Sequence, residues 1–432
     1  MTQHTSTSDP QPRIVSNSPA QRVPRHKAPG VLLIVENLSV PADRRVWAEA
    51  QTLYQAGYRV SVICPRGKQL DRSSYQEKNG VHIYRFPMPF DGPQRWNFIF
   101  EYGWAFLACF GLSLRVWMER GFDVIHVGNP PDFFFPLAWF YRLFGKRFIF
   151  DQHDLSPETY LSKFEGVRKG LLYRILLKSE ALSYRASDAV VATNQSYRDV
   201  MLSRGKLPPE RIFIVRNGPN PKIFYPRDAK PELKDGFAHL VAFVGIMGRQ
   251  DGVDYLLRAA HHVIHEQGRK DVLFVIMGTG DAWDELQALH HELQLGNQVR
   301  FTGRIPDEPM LDYLATADVC ASPDPFNPLN NISTMQKTME FMAMGKPVVS
   351  FELKEARYSA QEAAIYIDNN DWRGFAQAIL DLIGDPQRRH RMGEFGRQRI
   401  ANDLSWEVSS HNLLAAYRMV LGDRALAAEV SK

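Results

Sequence analysis

Residues 322–350 combine a polar loop, a helix and a strand in the order that builds a phosphate site. Asparagines of the loop precede Ser333 and Gln336, whose spacing matches a capping box and predicts a helix from about Thr334. Gly345 supplies the helix stop in the left-handed region, and the apolar run after it predicts a buried parallel strand. The first turn of such a helix leaves backbone amides unpaired, and the helix dipole favours an anion there.

Two charged residues of this helix, Lys337 and Glu340, are three positions apart and therefore share one face. An ammonium group near the amides and a carboxylate one turn deeper suit a nucleotide. The ammonium would contact phosphate, and the carboxylate would accept hydrogen bonds from the two ribose hydroxyls. The alternative is a surface ion pair on an ordinary helix, and the helix alone does not decide between the two.

Polar residues also follow the predicted strands of the first half, at the point where each strand ends. His153 lies between RFIFDQ and DLSPE, in a loop where an imidazole could contact a sugar hydroxyl or a backbone carbonyl. A histidine in such a loop is structural as often as functional, so both interpretations stay open. The residues of this group are Glu36, Asn37, Asn129, His153, Asp154 and Asn194.

Several well-known motifs are absent from the sequence. Gly278 and Gly280 lie between a strand and a helix and could let a ligand approach the backbone, but no full GxGxxG occurs. No Asp-x-Asp pair or His/Cys cluster is present to hold a metal on a diphosphate, so we expect no metal and no other cofactor. Without a GxSxG elbow or a GxxxxGK[ST] loop, transfer between two bound partners is favoured over hydrolysis.

The elements that must position these residues repeat a strand–helix–strand order in both halves, which predicts an α/β fold with two mostly parallel, doubly wound sheets. Strands of the first half are predicted at 31–35, 60–64, 124–127, 147–150, 189–192 and 212–215. Strands of the second half are predicted at 240–245, 272–278, 299–302, 319–322 and 347–351. Ligands of such sheets bind at the carboxyl ends of the strands, so we expect the site in a cleft between two domains.

Length and composition agree with two domains. The chain has 432 residues, of which 44% are hydrophobic and 12% aromatic, enough for two cores. A formal net charge of +4 is small for this length, and we expect no nucleic acid partner. The three scattered cysteines indicate neither disulfides nor zinc and fit a reducing cytoplasm. Residues 96–118 are apolar but interrupted by charges, which favours a buried or interfacial helix over a membrane span.

At this point the sequence resembles the retaining nucleotide-sugar glycosyltransferases of family four, specifically a bacterial envelope-polysaccharide branch. The likeness runs from Val31 to about Tyr417. In the first half it is carried by PADRRVWAEAQTLYQAGY, VSVICP, FDVIHVGNPPD, IFDQHDLSPE and VVATNQSYR. RNGPNPKIFYP resembles the interdomain signature of that family, and MEFMAMGKPVVSF resembles its donor-site helix and following strand. Ser405 and Trp406 match the start of a terminal helix that crosses back to the first domain in the GT-B fold.

The resemblance implies a domain plan. A disordered tail is expected at 1–29, an acceptor-side domain at 30–216, and a linker at 217–236. A donor-binding domain at 237–404 and a crossover helix with a tail at 405–432 complete the chain.

The resemblance also implies roles for particular residues. Glu340 would hold the donor ribose, and His153 would lie against the transferred sugar. Amides from Asn331 to Met335, including Ser333 and Thr334, would bind the diphosphate. Gly303, Arg304 and Ile305 would flank the base.

The sequence departs from the family pattern where that pattern has cationic and acidic donor-site residues. Ile246 and Asp251 align with an arginine and a lysine, and Ile332 aligns with the first of two acids. We predict that Lys337, acting as a catalytic group, and Arg249 replace the missing phosphate contacts, because each lost charged hydrogen bond is worth about 1.5–3 kcal/mol.

The first half would bind the acceptor, a glycan or a polyprenyl-linked sugar. A lipid-linked acceptor would bring a cytoplasmic protein into peripheral contact with the inner membrane face, through an aromatic stretch that includes Trp96, Phe98, Trp104 and Phe106. The alternative is that these aromatics are core. The candidate acceptor-side residues are Asp43, Arg44, Asn129, Asp154, Glu158 and Asn194.

Two other functions stay open. The missing donor-site charges would also fit a catalytically inactive, sugar-nucleotide-binding scaffold or regulatory subunit of a glycan-assembly complex. An epimerase of the same fold would need an acid and a base, for which the DLSPE loop offers Asp154 and Glu158. Transfer of a hexosyl or N-acetylhexosaminyl group with retention fits the motifs better.

Overall fold

The protein is described by a computed structural model that covers residues 28–67, 71–88, 95–163 and 170–422. Most of the predicted N-terminal tail and the end of the C-terminal tail lie outside these residues. Ala28 and Pro29, which were predicted to belong to the disordered tail, are buried instead. The Ala28 carbonyl accepts a hydrogen bond of 2.9 Å from Arg59 Nε, and the Pro29 carbonyl accepts one of 3.0 Å from the Arg59 amide.

The first domain contains an eight-stranded sheet in the order β3-β4-β2-β1-β5-β6-β7-β8, parallel except for the antiparallel edge strand β3. Its strands are β1 (Gly30–Ile34), β2 (Arg59–Pro65), β3 (Tyr75–Lys78), β4 (Val81–Phe86), β5 (Val124–Gly128), β6 (Arg147–Gln152), β7 (Ala189–Ala192) and β8 (Ile212–Ile214). Its helices are α1 (Arg44–Gln55), α2 (Arg95–Glu119), α3 (Phe135–Arg142), α4 (Ser156–Lys163), α5 (Leu171–Ala186) and α6 (Gln195–Ser203).

The second domain has a six-stranded parallel sheet in the order β11-β10-β9-β12-β13-β14. The strands are β9 (His239–Val244), β10 (Val272–Met277), β11 (Val299–Gly303), β12 (Val319–Ser322), β13 (Val348–Phe351) and β14 (Ala364–Ile367). The helices before the last one are α7 (Val253–His261), α8 (Trp283–Glu292), α9 (Asp307–Thr316), α10 (Gln336–Ala343), α11 (Lys354–Ala360), α12 (Trp372–Gly384) and α13 (Pro386–Arg399). Two doubly wound α/β domains are therefore confirmed.

The last helix, α14 (Trp406–Leu421), packs on the first domain. Trp406 Nε1 donates to Thr52 Oγ1 on α1 at 3.0 Å, and Leu413 and Tyr417 are fully buried in the core formed by the α1 side of the first sheet. Where the chain re-enters this domain it passes the outgoing linker so closely that a Cβ on Gly218 would lie 2.1 Å from the Leu404 carbonyl oxygen. The two interdomain connections therefore touch.

Helix α2 covers the predicted apolar segment. Among the described residues, none of the helices is both long enough and apolar enough to cross a bilayer. Ala105, Cys109 and Val116 of α2 are fully buried, whereas Trp104 is 38% exposed. The side chains of Trp96 and Phe98 lie outside the described residues.

Gly278 and Gly280, which were predicted to let a ligand approach, instead lie against another segment of the backbone. A Cβ on Gly278 would lie 1.8 Å from the Gly245 carbonyl oxygen, and one on Gly280 would lie 2.6 Å from the Met247 carbonyl oxygen. Gly278 also has a φ of +135°, which favours glycine. The glycines thus let the ends of β9 and β10 pack together.

Candidate functional site

The N-terminus of α1 presents two adjacent arginines in opposite directions. Asp43 is the N-cap, and its side chain accepts a 3.0 Å hydrogen bond from the Val46 amide. It therefore serves the helix rather than a ligand. Arg45 points into the first domain, with a side chain that is 5% exposed, while Arg44 is 45% exposed and crosses to the second domain.

Arg45 is the centre of a buried polar network. Its Nη2 lies 2.8 Å from Asp151 Oδ1 at the end of β6, and its Nε lies 3.0 Å from Glu49 Oε1 one turn along α1. Its Nη1 donates to the carbonyl of Val215 at 2.9 Å and to Asn217 Oδ1. One guanidinium group therefore joins α1, the central sheet and the outgoing interdomain linker.

The carboxylates of this network have opposite pKa shifts. Burial and the neighbouring Asp151 raise the pKa of Glu49 well above its usual range. Burial alone would raise the pKa of Asp151 too, but Arg45 and His153 hold it well below the usual value. We therefore treat Asp151 as the ionised partner of Arg45.

Oxygen and nitrogen atoms of Glu49, Asp151 and His153 lie within 4.8 Å of one another, which is close enough for a metal site. The Arg45 guanidinium already lies at hydrogen-bonding distance from all three side chains. The cation of this cluster is thus the arginine.

His153 lies at the open end of the network and is 17% exposed. Its Nε2 is 2.8 Å from Asp151 Oδ2 and 2.9 Å from Arg45 Nε, which leaves Nδ1 for a ligand. Gly128 makes room for the ring, because a Cβ there would lie 2.8 Å from His153 Cε1. Asn129 shapes the loop by accepting hydrogen bonds from the amides of His153 and Asp154 at 2.6 and 3.1 Å.

Across the cleft, Glu340 on α10 faces Arg44. Arg44 Nη1 lies 3.8 Å from Glu340 Oε1, and its Nη2 lies 2.6 Å from Asp307 Oδ1 at the start of α9. Burial raises the pKa of Glu340 to about 7, although Arg44 opposes the shift. The two consecutive arginines at the start of α1 therefore link His153 and Glu340, beside a cavity of about 530 Å³.

The predicted capping box does not form. Helix α10 begins at Gln336, and its N-cap residue Met335 makes no side-chain hydrogen bond. Ser333 Oγ instead donates to the Leu329 carbonyl at 2.9 Å, and its amide closes a turn onto Asn330. The Asn331 amide is likewise bonded to the Asn327 carbonyl. Among the predicted amides, those of Asn331 and Ser333 are therefore already bonded within the loop, and so is that of Ile332, to the Leu329 carbonyl. In the first turn of α10 the Thr338 amide is bonded to the Met335 carbonyl.

The loop before α10 contacts the first domain. Asn194 Nδ2 donates to the Ile332 carbonyl at 2.9 Å and to Thr334 Oγ1 at 3.1 Å, and Tyr197 Oη lies 3.0 Å from Ser333 Oγ. Asn194 is fully buried and also caps α6, so it forms an interdomain contact rather than an acceptor site.

Lys337 does not pair with Glu340, which excludes the simple surface ion pair on this helix. Its side chain is 8% exposed, and its Nζ lies 2.7 Å from Asp324 Oδ1 and 4.8 Å from the centre of the Phe243 ring. Nζ would also lie 3.8 Å from a Cβ on Gly245, at the carboxyl end of β9. The Lys337 ammonium therefore lies at the carboxyl edge of the second sheet, but the Asp324 carboxylate already neutralises its charge.

The other predicted donor-site residues are more exposed. Arg249 is 69% exposed and donates to Glu285 on α8, beside a second cavity of about 760 Å³ between the domains. Gly303 has a φ of +68° at the end of β11, after which Arg304 is exposed and Ile305 is half-buried. Arg249 and Glu340 line different cavities.

Of the remaining acceptor-side residues, Asp154 is exposed at the cleft. Glu158 accepts hydrogen bonds of 2.5 and 3.2 Å from Arg204, which also binds Glu180. Glu158 thus has a structural partner, which weakens it as a base for an epimerase.

Two buried carboxyl groups follow β1 and β5. Glu36 after β1 was among the candidates from the sequence, but Asp132 after β5 was not. These neighbouring strands lie where the chain order of the sheet reverses. Glu36 and Asp132 are each 3% exposed, and within the described part of the chain Glu36 Oε1 has no hydrogen-bond partner. Burial raises the pKa of both groups to about 7, with Glu101 adding to the shift of Glu36 and the Ser156 hydroxyl opposing that of Asp132. A carboxyl group directly after a strand is the sequence signal for such a site.

Both domains match family models of known proteins. Residues 42–222 match the model described as Glycosyltransferase Family 4, and residues 238–385 match the model described as Glycosyl transferases group 1. Alpha-maltose-1-phosphate synthase from Mycolicibacterium smegmatis is 27% identical over 300 residues, which cover 64% of this chain and 74% of that protein.

Solved structures share the architecture. Sucrose-phosphate synthase from Thermosynechococcus elongatus superposes with a TM-score of 0.76 at 20% identity, over 91% of this chain and all of that one. HepE from Anabaena, solved in complex with UDP-glucose, has a TM-score of 0.66 at 15% identity and covers 90% of this chain and 99% of its own. The predicted GT-B fold is thereby confirmed.

The adjacent arginines allow a matched test of the buried network. Arg45→Met removes the cation from Asp151 and should lower the free energy of unfolding by about 3–5 kcal/mol, because an uncompensated charge remains buried. Arg44→Met removes an exposed ion pair and should cost at most about 1 kcal/mol. Urea unfolding followed by circular dichroism measures both; equal losses would contradict the central position of Arg45.

Proposed function

We propose that this chain, a glycosyltransferase family 4-like protein with the GT-B fold, transfers a hexosyl or N-acetylhexosaminyl group with retention from a nucleotide diphosphate sugar. The acceptor would be a glycan or a lipid-linked sugar of bacterial cell-surface polysaccharide synthesis, at the cytoplasmic face of the membrane. One observation carries the proposal: His153 and Glu340, from different domains, are linked by consecutive arginines at the carboxyl edges of the two sheets.

The donor would lie along α10. The Glu340 carboxylate would accept hydrogen bonds from the two ribose hydroxyls, and the backbone at Gly303, Arg304 and Ile305 would flank the base. A structural neighbour was solved with UDP-glucose, which supports this class of donor. Because Arg44 lies 3.8 Å from Glu340, it would move or contact the nucleotide when the donor binds.

The diphosphate would meet the first-turn amides of α10 and the Lys337 ammonium, so that the protein neutralises the charge without a metal. Lys337 would turn from Asp324 toward the phosphate. Stabilising the charge of the leaving phosphate would then make the main contribution to lowering the activation free energy.

The proposed chemistry exchanges one C–O bond at the anomeric carbon for another and moves one proton. The acceptor oxygen bonds to the anomeric carbon on the face from which the phosphate oxygen departs, and that phosphate takes the acceptor proton. Nδ1 of His153 would contact the transferred sugar. No protein nucleophile is invoked, in contrast to the two-carboxylate scheme of retaining hydrolases.

The acceptor would bind where the order of the first sheet reverses. Glu36 Oε1 could accept a hydrogen bond from a sugar hydroxyl, and Asp132 adds a second carboxyl group. Above about pH 7, where both carboxyl groups ionise, they would repel a phosphate, so we infer that the sugar unit bound here carries hydroxyls rather than phosphate.

A sugar-nucleotide-binding scaffold is the second candidate. It is favoured by the pairing of Lys337 with Asp324 and of Arg249 with Glu285, which leaves both predicted phosphate cations neutralised. Such a protein would bind the donor without transferring its sugar.

Calorimetric titration with a panel of nucleotide diphosphate sugars, in the presence of chelator, tests donor binding. Because the raised pKa of Glu340 makes it ionise near pH 7, affinity should increase up to about tenfold between about pH 6 and pH 8. Glu340→Gln should bind weakly at both pH values, and Glu308→Gln, an exposed change on α9, should behave as the unmodified protein. Binding to no member of the panel would overturn the donor assignment.

Variants of the buried Lys337–Asp324 ion pair test whether Lys337 binds the donor phosphate. Lys337→Met should weaken donor binding and lower turnover at least about tenfold, the loss of one charged hydrogen bond. Asp324→Asn frees the ammonium and should strengthen donor binding. If both variants weaken binding equally while both lose stability in thermal melts, the pair is structural only.

Glu36→Gln tests the acceptor site. With donor fixed, transfer to a panel of neutral glycosides and sugar phosphates should favour the neutral acceptors. The variant should raise the acceptor KM several-fold and leave donor affinity unchanged, because Glu36 lies on the first domain. Glu210→Gln, an exposed change on the same domain, is the control. An unchanged acceptor KM would exclude Glu36 from the site.

A further inference from the structure

One outer layer of the first domain exposes many large apolar side chains. Ten of the seventeen large hydrophobic residues that are exposed in the described parts of the chain lie on α2, α3 with the turn after it, and α5. We call them the apolar face. They are Phe100, Trp104, Leu107, Met118, Trp139, Leu143, Phe144, Leu171, Leu172 and Ile175.

These three helices lie side by side on the same side of the sheet. Aromatic contacts join α2 to α3, with Trp117 4.8 Å from Phe144 and Phe110 5.2 Å from Phe140 between ring centres. Helices α3 and α5 also pack together. The inner sides of all three belong to one core, so the apolar face is the outside of a single layer.

Helix α2 shows the pattern most clearly. Phe100, Trp104, Leu107 and Met118 follow helical spacing along its outer side and are between 38% and 80% exposed. The opposite side of the same helix is buried. Among the residues that the structure describes, α2 is thus apolar on both sides but covered on only one, which is unusual for a protein surface in water.

A basic cavity of about 470 Å³ adjoins the apolar face. Five cationic side chains line it together with the single carboxylate of Asp188. The cations are Arg142, Lys146, Arg147, Arg185 and Arg211.

The cavity lies at the amino ends of β6 and β7, opposite the cleft edge of the sheet. The exposed residues Leu143 and Phe144 stand between Arg142 and Lys146 in the chain, so apolar and basic groups form one surface.

We propose that the apolar face and the basic cavity together dock the protein on an anionic lipid surface. Apolar side chains would enter the bilayer boundary, and the cavity would bind acidic headgroups. Trp104 and Trp139 are of the type that lies at such boundaries. The charge favours lipid over a neutral protein partner. The carboxylates of Asp188 and Asp123 lie within 4 Å of some of these cations, but two carboxylates do not balance five positive charges.

The orientation of the docked protein agrees with the proposed function. The inference rests on that function for the claim that docking brings the protein to a lipid-linked acceptor. Helix α2 starts near Glu36, since burial and then the nearby Glu36 carboxyl raise the pKa of Tyr102, and it ends at the basic edge. A docked protein would therefore hold its acceptor side beside the bilayer, where a lipid-linked sugar is found.

Flotation with vesicles tests the docking without requiring activity. The full chain should float with vesicles of phosphatidylcholine and phosphatidylglycerol, but not with phosphatidylcholine alone, and salt should weaken the binding. Leu143→Ser with Phe144→Ser, and separately Arg147→Glu with Arg185→Glu, should each reduce binding at least tenfold. Met419→Ser and Arg373→Glu, exposed changes elsewhere, should float as the unmodified protein.

Other occupants give different results. Binding of inorganic phosphate without any vesicle binding would show a soluble anion site and overturn the proposal. A dimer in light scattering that Leu143→Ser with Phe144→Ser converts to monomer, again without vesicle binding, would show a self-interface and also overturn it. Donor titration of the same variants should be unchanged, which separates failure of docking from failure of the proposed function. Thermal melts confirm that each variant is folded.

Discussion

The ion pair between Arg45 and Asp151 is the interaction on which the site depends. A carboxylate that is fully buried needs a cation, and this cation comes from a helix that also faces the cleft. The same guanidinium holds the linker through Val215 and Asn217 and lies against His153. The position of the imidazole, the direction of α1 and the path of the chain between domains are therefore set by one side chain.

Charged side chains in the cleft neutralise one another in pairs, and some of these pairs join the two domains. Arg44 contacts Glu340 and Asp307, Arg216 lies 3.5 Å from Glu355, and Lys337 is paired with Asp324. A nucleotide diphosphate would therefore exchange one set of charged contacts for another. The strength of binding would depend on the difference between the two sets, so a list of cations alone does not predict it.

Most strands of the fold were predictable because they depend on local periodicity, but β3, β4 and β14 were not predicted. The strands around the cleft follow from apolar runs, and the start of α14 was implied by the resemblance at Ser405 and Trp406. Ser405 is the N-cap of that helix. Helix α10 was predicted two residues early because Ser333 bonds to Leu329 and faces Tyr197, a tertiary contact that competes with the cap.

The polar network was less predictable, since its partners are distant in the chain; Arg45 and Asp151 are 106 positions apart. One signal was present, because an aspartate inside the apolar run RFIFDQ must have a buried partner.

The terminal helix has a further consequence for synthesis on the ribosome. Tyr417 fills the core of the first domain, yet roughly 200 residues separate it from β8, which at about 5–20 residues per second takes roughly 10–40 s to translate. During that time the nascent first domain exposes the groove that α14 later fills, so this domain completes its fold only after the second domain has been made.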